Sequence, residues 1–262
     1  IIYKKGKSKN TIWGDSATET AISKYRNFTN FSEASQCYRE IEIKMKNYYS
    51  EKSDGGKVIL QLSLNGFAPY RNCDKINDRV EDLYLSKDKK TNIYISKNYF
   101  RKKSYEYIKN FIRNKFTIKP KTNSEFNEDG SLSYFNIYSP IKKINLSKNN
   151  FNNHRYIPRT DFVESGNYTA LNEIINYLKN KNIKACLITT PVHNDLFKYV
   201  ISRDKFKEIL DFYKNISKDS GFSYWDMSDY ILPDDHFGDI SHLNNKGAKT
   251  FTKLVEEKCF NQ

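Results

Sequence analysis

The feature that most constrains the fold of this chain is an alternation of short apolar strands with amphipathic helices. In the first 70 residues, strands are predicted over 11–13 and 58–62, and a helix over 33–49, where apolar residues recur with helical spacing. A strand–helix–strand order of this kind predicts a parallel sheet whose two faces are covered by helices.

The last third of the chain shows the same alternation. A length of 262 residues suits one α/β domain with an inserted segment better than two independent domains. We therefore predict a single domain over 1–262, with three α/β/α layers around a central parallel sheet. The later helices and strands are predicted in turn at 170–178, 184–189, 206–216, 222–225 and 246–258.

The region between these two parts, residues 74–167, has no such regular pattern. It contains one predicted helix, at 105–116, and polar stretches broken by apolar pairs such as Ile137-Tyr138. Because an unstructured loop of this length is unusual in a compact domain, we predict an insertion that packs over the edge or the active face of the sheet. That position suits a lid or a platform for a substrate.

The chain is strongly basic, with a net charge of +13. Such a charge attracts acidic glycans, nucleic acids or anionic membrane surfaces, but a composition biased towards Lys, Asn, Ile and Tyr gives the same excess, and both interpretations stay open. No apolar run reaches the roughly 18 residues that a membrane span needs. No nucleic-acid-binding motif is present. We expect a glycan partner and no nucleic acid.

Export and disulfide formation are left open by the sequence. The chain begins with Ile and shows no signal peptide, so we expect a processed or truncated form whose export signal or anchor lay upstream. No cysteine has CxxC or Cys/His metal spacing, and neither a metal nor a cofactor is expected. Cys186 lies in an apolar run and is predicted to be a core residue, whereas a Cys37–Cys73 disulfide is conceivable in an exported protein.

Ser16 is a candidate nucleophile. It follows the first strand directly, in Gly14-Asp15-Ser16, and precedes a predicted helix. The carboxyl ends of parallel strands form the functional edge of an open α/β sheet, and a helix amino terminus there offers N–H groups to an oxyanion. Gly14 is expected to permit a sharp turn. The alternative is that Ser16 or Asp15 only caps the helix.

Asp239 and His242 lie near the other end of the chain, just before the last predicted helix. On one helical turn, a spacing of three residues puts both side chains on the same side. The carboxylate can then fix the Nδ1–H tautomer of the imidazole and leave Nε2 to accept a proton from a serine. Two alternatives stay open: a polar loop with an exposed His, and a pairing of Asp234 or Asp235 with His236.

Together, Gly14-Asp15-Ser16 and Asp239-x-x-His242 resemble the first and last motif blocks of the SGNH (GDSL-like) hydrolase superfamily. The resemblance covers the chain outside the inserted segment. It implies a flavodoxin-like SGNH hydrolase fold and a catalytic triad of Ser16, His242 and Asp239.

The resemblance also implies an oxyanion hole formed by Ser16, Ser35 and Asn65. In this family a Gly supplies a backbone N–H, and the Asn of a Gly-x-Asn-Asp block supplies a side-chain donor. Ser35 and Asn65 stand at those positions here, but Ser35 replaces the Gly, and Ser63 and Gly66 replace the residues that flank the Asn. Ser35 still has an N–H to donate if its backbone conformation tolerates a Cβ. Asn65-Gly66 is also an ordinary turn sequence.

His193 and Asn194 follow the strand predicted at 184–189, so their loop should open at the same edge of the sheet. We expect them to line the substrate pocket, although an ordinary loop histidine gives the same pattern.

The sequence looks most similar to the bacterial cell-envelope branch of the superfamily, whose members add or remove acyl groups on glycans. This implies that an acyl-Ser16 intermediate serves the O-acetylation of an acidic or neutral polysaccharide outside the cytoplasm, in the periplasm or at the cell surface. A membrane-bound partner would supply the acyl groups. The alternatives are a glycan O-acetyl esterase with the same triad, and a non-catalytic glycan-binding module on the same fold.

Overall fold

The computed structural model describes residues 8–23, 25, 27–50, 55–71, 124–126, 132–134, 161–196 and 204–260. Within these ranges the chain forms a five-stranded sheet with helices on both faces, and a separate two-stranded sheet. The predicted α/β fold with a central parallel sheet is therefore confirmed.

All strand pairs of the larger sheet are parallel. Its strands in spatial order are β2 (Thr29–Asn30), β1 (Thr11–Trp13), β3 (Lys57–Gln61), β6 (Lys184–Ile188) and β7 (Ser223–Trp225). Four of them were predicted to within one residue at either end, whereas β2 is too short to give an apolar run. The chain runs from β1 outward to β2 and then returns to β3 on the other side. Ligands bind α/β sheets at such a reversal, beyond the carboxyl ends of the strands.

The helices cover both faces of this sheet. No helix in the ranges given above is long and apolar enough to cross a membrane. The helix predicted at 33–49 begins later, because the Glu40 carboxylate accepts a hydrogen bond from the Cys37 N–H at 3.1 Å and caps the helix there. In chain order the helices are α1 (Ser16–Ala21), α2 (Tyr38–Ser50), α3 (Gly166–Asn180), α4 (Asp204–Ser220) and α5 (Asn245–Lys258).

Only short parts of the predicted insertion are described. β4 (Ser124–Phe126) and β5 (Leu132–Tyr134) pair antiparallel there, and the first residues of α3 belong to its end. The helix predicted at 105–116 lies outside the described residues. The function of the insertion as a lid or platform stays a prediction.

The core has two halves, one on each face of the sheet. Val58 and Leu60 of β3 are buried among side chains of α2, α3 and α4, whereas Ile59 is buried among those of α1 and α5. β-strand side chains alternate between faces, so an unbroken apolar run is what a strand covered on both faces requires.

The prediction that Cys186 is only a core residue was wrong. Cys186 of β6 forms a disulfide with Cys259, just after α5, with their Cα atoms 5.8 Å apart. The bond ties the last helix to the middle of the sheet, which spacing along the sequence could not indicate. Cys37 is also disulfide-bonded, while Cys73 lies outside the described residues.

Removal of the Cys186–Cys259 disulfide should lower the free energy of unfolding by about 4 kcal/mol. The two residues are 73 positions apart. A cross-link that closes a loop of that length removes conformational entropy from the unfolded chain, and this destabilises the unfolded state by about 4 kcal/mol. A Cys186→Ala/Cys259→Ala double variant, compared with the wild type by urea denaturation without reductant, measures the difference. Equal free energies of unfolding would contradict the expectation.

Candidate active site

A cavity of about 300 Å³ lies beyond the carboxyl ends of β1 and β3. It stands at the reversal in strand order described above, where α/β sheets bind ligands. Its polar lining includes Ser16, Ser35, Asn65, Tyr70, Arg71 and His242. The two chain ends that the sequence singled out therefore meet at one cavity.

Ser16 is the first residue of α1, and Asp15 caps that helix. The Asp15 carboxylate accepts a hydrogen bond from the Ala17 N–H at 2.9 Å, and the Asp15 N–H donates to Gln61 Oε1 at 2.7 Å. Capping by Asp15 leaves the Ser16 hydroxyl for another partner. The capping alternative therefore holds for Asp15 but does not account for Ser16.

Gly14 is required at this turn because a Cβ would not fit there, not because of its backbone angles. It is not among the described glycines with positive φ. A Cβ at this position would lie 2.7 Å from Thr18 Oγ1 and 2.8 Å from Gln61 Cβ, closer than real Cβ contacts. Only Gly at position 14 lets β3 lie this close to the turn that carries Ser16.

The Ser16 hydroxyl lies against His242, 226 positions away in the sequence. Ser16 Oγ is 2.9 Å from His242 Nε2, and His242 Nδ1 is 2.8 Å from Asp239 Oδ2. A proton on Nδ1 satisfies the carboxylate and leaves the Nε2 lone pair facing the hydroxyl. In that tautomer the imidazole can accept the Ser16 proton.

The segment that carries Asp239 and His242 is a closed loop, not the helical turn expected from their spacing. Phe237 and Leu243 form an antiparallel bridge across its base. The Asp239 carboxylate accepts hydrogen bonds from the N–H groups of Ser241 at 2.8 Å and His242 at 2.9 Å. Asp side chains favour such local turns over helix, so Asp239 fixes both the loop and the imidazole.

The helix that follows, α5, anchors this loop. The Asn244 carboxamide oxygen caps α5 by accepting from the N–H groups of Lys246 and Gly247, and its amide nitrogen donates to the Asp235 carbonyl. The rival histidine, His236, pairs through Nδ1 with Asp235 Oδ1 at 2.8 Å. His236 is not among the described residues that line the cavity.

Electrostatics favour charge separation between His242 and Asp239. Burial alone would lower the pKa of His242, but its hydrogen bond to Asp239 and the negative charges of Asp239, Asp15 and Glu19 raise that pKa above the usual value. Burial alone would raise the pKa of Asp239, but the hydrogen bond and charge of His242 lower it. An imidazolium formed by taking the Ser16 proton is therefore stabilised.

Two residues that border the cavity, Ser16 and Ser35, have backbone N–H groups that could serve a ligand. Ser35 borders the cavity in the left-handed conformation, with φ of 66°, a conformation that Gly adopts most readily. Ser16 is at the first position of α1, where an N–H has no partner within the helix. Neither N–H has an acceptor among the described residues.

Asn65 lies in the loop after β3, which a pair of buried tyrosines holds in place. The Tyr38 hydroxyl accepts from the Ser63 N–H at 2.9 Å, and the Tyr213 hydroxyl donates to the Ser63 carbonyl at 2.7 Å. Asn65 Nδ2 donates one hydrogen to the Tyr70 hydroxyl at 2.7 Å, so its second amide hydrogen remains for a ligand. Asn65 also lines the cavity.

Arg71 was missed by the sequence analysis, and it joins three parts of the site. Its Nη2 donates to Asp15 Oδ2 at 2.8 Å, and its Nη1 donates to the Gln36 carbonyl, next to Ser35, at 2.7 Å. Ser63 Oγ donates to the same Asp15 oxygen at 2.8 Å. The Asp15–Arg71 pair is buried, and no local sequence signal indicates a partnership of residues 56 positions apart.

His193 and Asn194 are not among the described residues that line the Ser16 cavity. His193 Nε2 is 3.0 Å from Asp234 Oδ1, and its ring packs edge-on against Phe237 at 5.2 Å. Asn194 borders a separate cavity. From the same loop, Thr190, Val192 and Leu196 line the Ser16 cavity instead. Within the described ranges, no three His, Cys, Asp or Glu side chains are grouped to hold a metal ion.

Comparisons with known proteins add little to this geometry. A family model that carries no description matches residues 93–262, and no curated protein gives a significant match. Among solved structures, the chain is similar to a protein from Bacteroides fragilis NCTC 9343 described as a "putative acylhydrolase". The TM-score is 0.45 and the sequence identity 9%, over 97% of this chain and 90% of that chain. This likeness is too distant to support a functional argument.

An Arg71→Met variant should lose about 3–5 kcal/mol of unfolding free energy, because it leaves the Asp15 carboxylate buried without its partner. Lys214→Met is the matched control: Lys214 pairs with Asp211, both side chains are more than half exposed, and exposed pairs contribute under about 1 kcal/mol. Urea denaturation measures both. Equal losses in the two variants would contradict a special role of the Asp15–Arg71 pair.

Proposed function

We propose that this chain is an SGNH-type enzyme that catalyses serine-dependent acyl transfer from an O-acyl ester. The observation that carries the proposal is the contact of Ser16 Oγ with His242 Nε2 at 2.9 Å, while Nδ1 of the same ring faces Asp239. A hydroxyl, a base and an orienting carboxylate in this order form the working arrangement of serine acyl-transfer enzymes.

In the proposed reaction, Ser16 Oγ attacks the ester carbonyl carbon while its proton passes to His242 Nε2. The oxyanion receives hydrogen bonds from the N–H groups of Ser16 and Ser35 and from the Asn65 amide. When the carbon–oxygen bond to the alcohol breaks, the imidazolium returns the proton to the leaving oxygen. A second alcohol or water, deprotonated by His242, then attacks acyl-Ser16, and Ser16 regains its proton.

The cavity favours a short acyl group. Its volume of about 300 Å³ lies at the lower end of the range for small-molecule sites. Leu64, Val192 and Leu196 give it an apolar wall, and Asn65 and Tyr70 give it polar groups. An acetyl ester of a polar alcohol fits such a lining, with the methyl group against the apolar wall.

For the substrate we propose a polysaccharide outside the cytoplasm, in the periplasm or at the cell surface, whose hydroxyl groups the enzyme acetylates or, as the alternative, deacetylates. The net charge of +13 supports an acidic polymer. The disulfides at Cys186–Cys259 and at Cys37 support an oxidising compartment. O-acetylation by transfer to a sugar hydroxyl, with a membrane-bound acyl donor, and O-acetyl esterase activity share the same acyl-Ser16 and differ in the second nucleophile.

A non-catalytic glycan-binding module is the competing proposal. It was motivated by the loss of Gly at the Ser35 and Ser63 positions. The left-handed Ser35 and the second amide hydrogen of Asn65 leave both groups able to donate despite those changes, which favours the enzyme.

Ser16→Ala should lower the hydrolysis of a chromogenic acetyl ester by about 10⁴-fold or more, because the triad acts as a unit. Ser23→Ala is the matched control, since Ser23 bonds Thr252 away from the cavity. Assays with and without sugar acceptors distinguish transferase from esterase activity. Turnover by Ser16→Ala at the wild-type rate would exclude the proposed mechanism.

The acid limb of kcat/KM should have its midpoint above the usual histidine value of 6.5. Only neutral His242 can accept the Ser16 proton, and its pKa is raised by Asp239, which outweighs the effect of burial. Activity is therefore lost as the pH falls through that raised pKa. Asp239→Asn should move the limb to lower pH and reduce kcat. A wild-type midpoint at or below 6.5 would contradict this reading of the site.

A further inference from the structure

Tyr70 is a large aromatic residue that lines the Ser16 cavity and is 44% exposed. Its neighbours Ala68 and Arg71 are buried, and the reaction described above gives Tyr70 no step. A single exposed aromatic residue is ordinary on a protein surface. Exposure alone therefore indicates no function, but the contacts of Tyr70 do.

The turn that carries Tyr70 is held at both ends by one side chain. It is a short 3₁₀ turn, Pro69–Arg71. Asn167, a buried residue of α3, donates through Nδ2 to the carbonyl of Gly66 at 2.9 Å and to that of Arg71 at 2.7 Å. Because both hydrogens of one amide are used on this loop, the backbone that carries Tyr70 is fixed relative to α3.

The side chain of Tyr70 is itself held at two points. Its hydroxyl accepts a hydrogen bond from Asn65 Nδ2 at 2.7 Å. The Arg71 guanidinium lies over its ring, 5.0 Å from the centroid, which is a cation–π distance. Arg71 is in turn paired with the buried Asp15 at 2.8 Å. The ring is therefore an ordered aromatic surface at the cavity.

The hydroxyl of Tyr70 also determines how the Asn65 amide is turned. The terminal torsion of an asparagine has a broad preference, so a bond to one of its two amide hydrogens selects one orientation. The second hydrogen, which we assign to the oxyanion, then points in a fixed direction. Because the bond to Tyr70 is exposed, its loss should change this orientation far more than the stability of the fold.

The ring of Tyr70 lies close to where the alcohol part of an ester would be. Its hydroxyl and the proposed oxyanion bond the same nitrogen of Asn65, each at about 2.9 Å, and so lie within roughly 5 Å of each other. A sugar ring has a C–H face that packs flat on an aromatic ring and a rim of hydroxyl groups that stays in water. A tyrosine that is half exposed offers the matching apolar body and polar tip.

We propose that Tyr70 has two roles in this site: its hydroxyl is a positioning group for Asn65, and its ring is the surface on which the sugar ring of the substrate packs. The inference rests on the proposed function and deepens it, because it assigns a place to the alcohol part of the ester. The two roles are separable, since phenylalanine keeps the ring without the hydroxyl and leucine keeps neither.

The role of the hydroxyl is tested by a double-mutant cycle with Asn65, in which acetate release from ethyl acetate gives kcat/KM. Asn65→Ala should lose about 10²–10³-fold, as removal of one oxyanion donor does. Tyr70→Phe should lose roughly 10-fold, because the donor is still present but misplaced. The double variant should be no slower than Asn65→Ala, because the hydroxyl acts only through Asn65.

Two outcomes of this cycle would overturn the positioning role. One is a kcat/KM of Tyr70→Phe equal to that of the wild type. The other is a double variant that is slower than Asn65→Ala by the full Tyr70→Phe factor, which is what a general structural effect of the hydroxyl would give.

The role of the ring is tested by comparing ethyl acetate with a mono-O-acetylated methyl glucoside, which has the same acyl group and adds a sugar ring. The readout is the ratio of kcat/KM for the glucoside to that for ethyl acetate. Tyr70→Phe should keep the wild-type ratio. Tyr70→Leu should lower it by roughly 5- to 10-fold, because the aromatic contact with the sugar is lost.

Tyr230→Leu is the matched control. Tyr230 is 39% exposed, but it borders the second cavity and is not among the described residues that line the Ser16 cavity. This variant should keep the wild-type ratio. An unchanged ratio in Tyr70→Leu, or an equal fall in Tyr230→Leu, would overturn the role of the ring.

Failure of the proposed function would look different. A wild-type protein that releases acetate from neither ester and does not react with a fluorophosphonate lacks the proposed function, and the hydroxyl then has no oxyanion donor to position. Saturation-transfer NMR with methyl glucoside decides the role of the ring in that case. Transfer to the sugar protons that is lost in Tyr70→Leu supports the role, whereas equal transfer in both proteins, or none in either, overturns it.

Discussion

The contact between Ser16 and His242 depends on bringing residues 226 positions apart to within 2.9 Å, and much of the described fold contributes to it. Ser16 is held from the middle of the sheet, because β1 lies between β2 and β3 and the turn after β1 is bonded to Gln61 of β3. His242 is held from the other end by α5, which Asn244 caps and which the Cys186–Cys259 disulfide ties to β6. Movement of either anchor would separate hydroxyl and imidazole.

The polar groups behind the cavity form one buried network rather than separate pairs. Asp15 caps α1, bonds Arg71 and accepts from Ser63, while Arg71 reaches the carbonyl of Gln36. The three loops that would supply oxyanion donors are therefore bonded to one carboxylate–guanidinium pair. A buried carboxylate and guanidinium that bond each other and groups of three loops hold those loops in one arrangement, and under the proposed mechanism the oxyanion donors are then in position before a substrate binds.

The sequence predicted the strands and helices whose residues show a local pattern, such as an unbroken apolar run. β3 and β6 are covered on both faces, so their unbroken apolar runs identified them, whereas β2, with two residues, gave no pattern. The spacing of Asp239 and His242 predicted their proximity but not their loop, because the Asp239 carboxylate bonds the backbone locally and prevents a helical turn. Ser16 was identified from its place directly after β1 as well as through a family resemblance, whereas Ser35 and Asn65 were identified through that resemblance alone.

Arg71 could not be predicted in this way. It acts through Asp15, a partner that only the tertiary structure brings close. The same holds for the Cys186–Cys259 disulfide, since a cysteine in an apolar strand, such as Cys186, looks like a core residue until the strand and the last helix are packed together.

The most direct test of the account is to trap the covalent intermediate. The protein is mixed with an activated acetyl ester, quenched in acid within the first turnover, digested and analysed by mass spectrometry. The account predicts one acetyl group on the hydroxyl of Ser16, and none there when His242 is replaced by Ala. Ester turnover without acetyl-Ser16, or with the acetyl group on another residue, would contradict it.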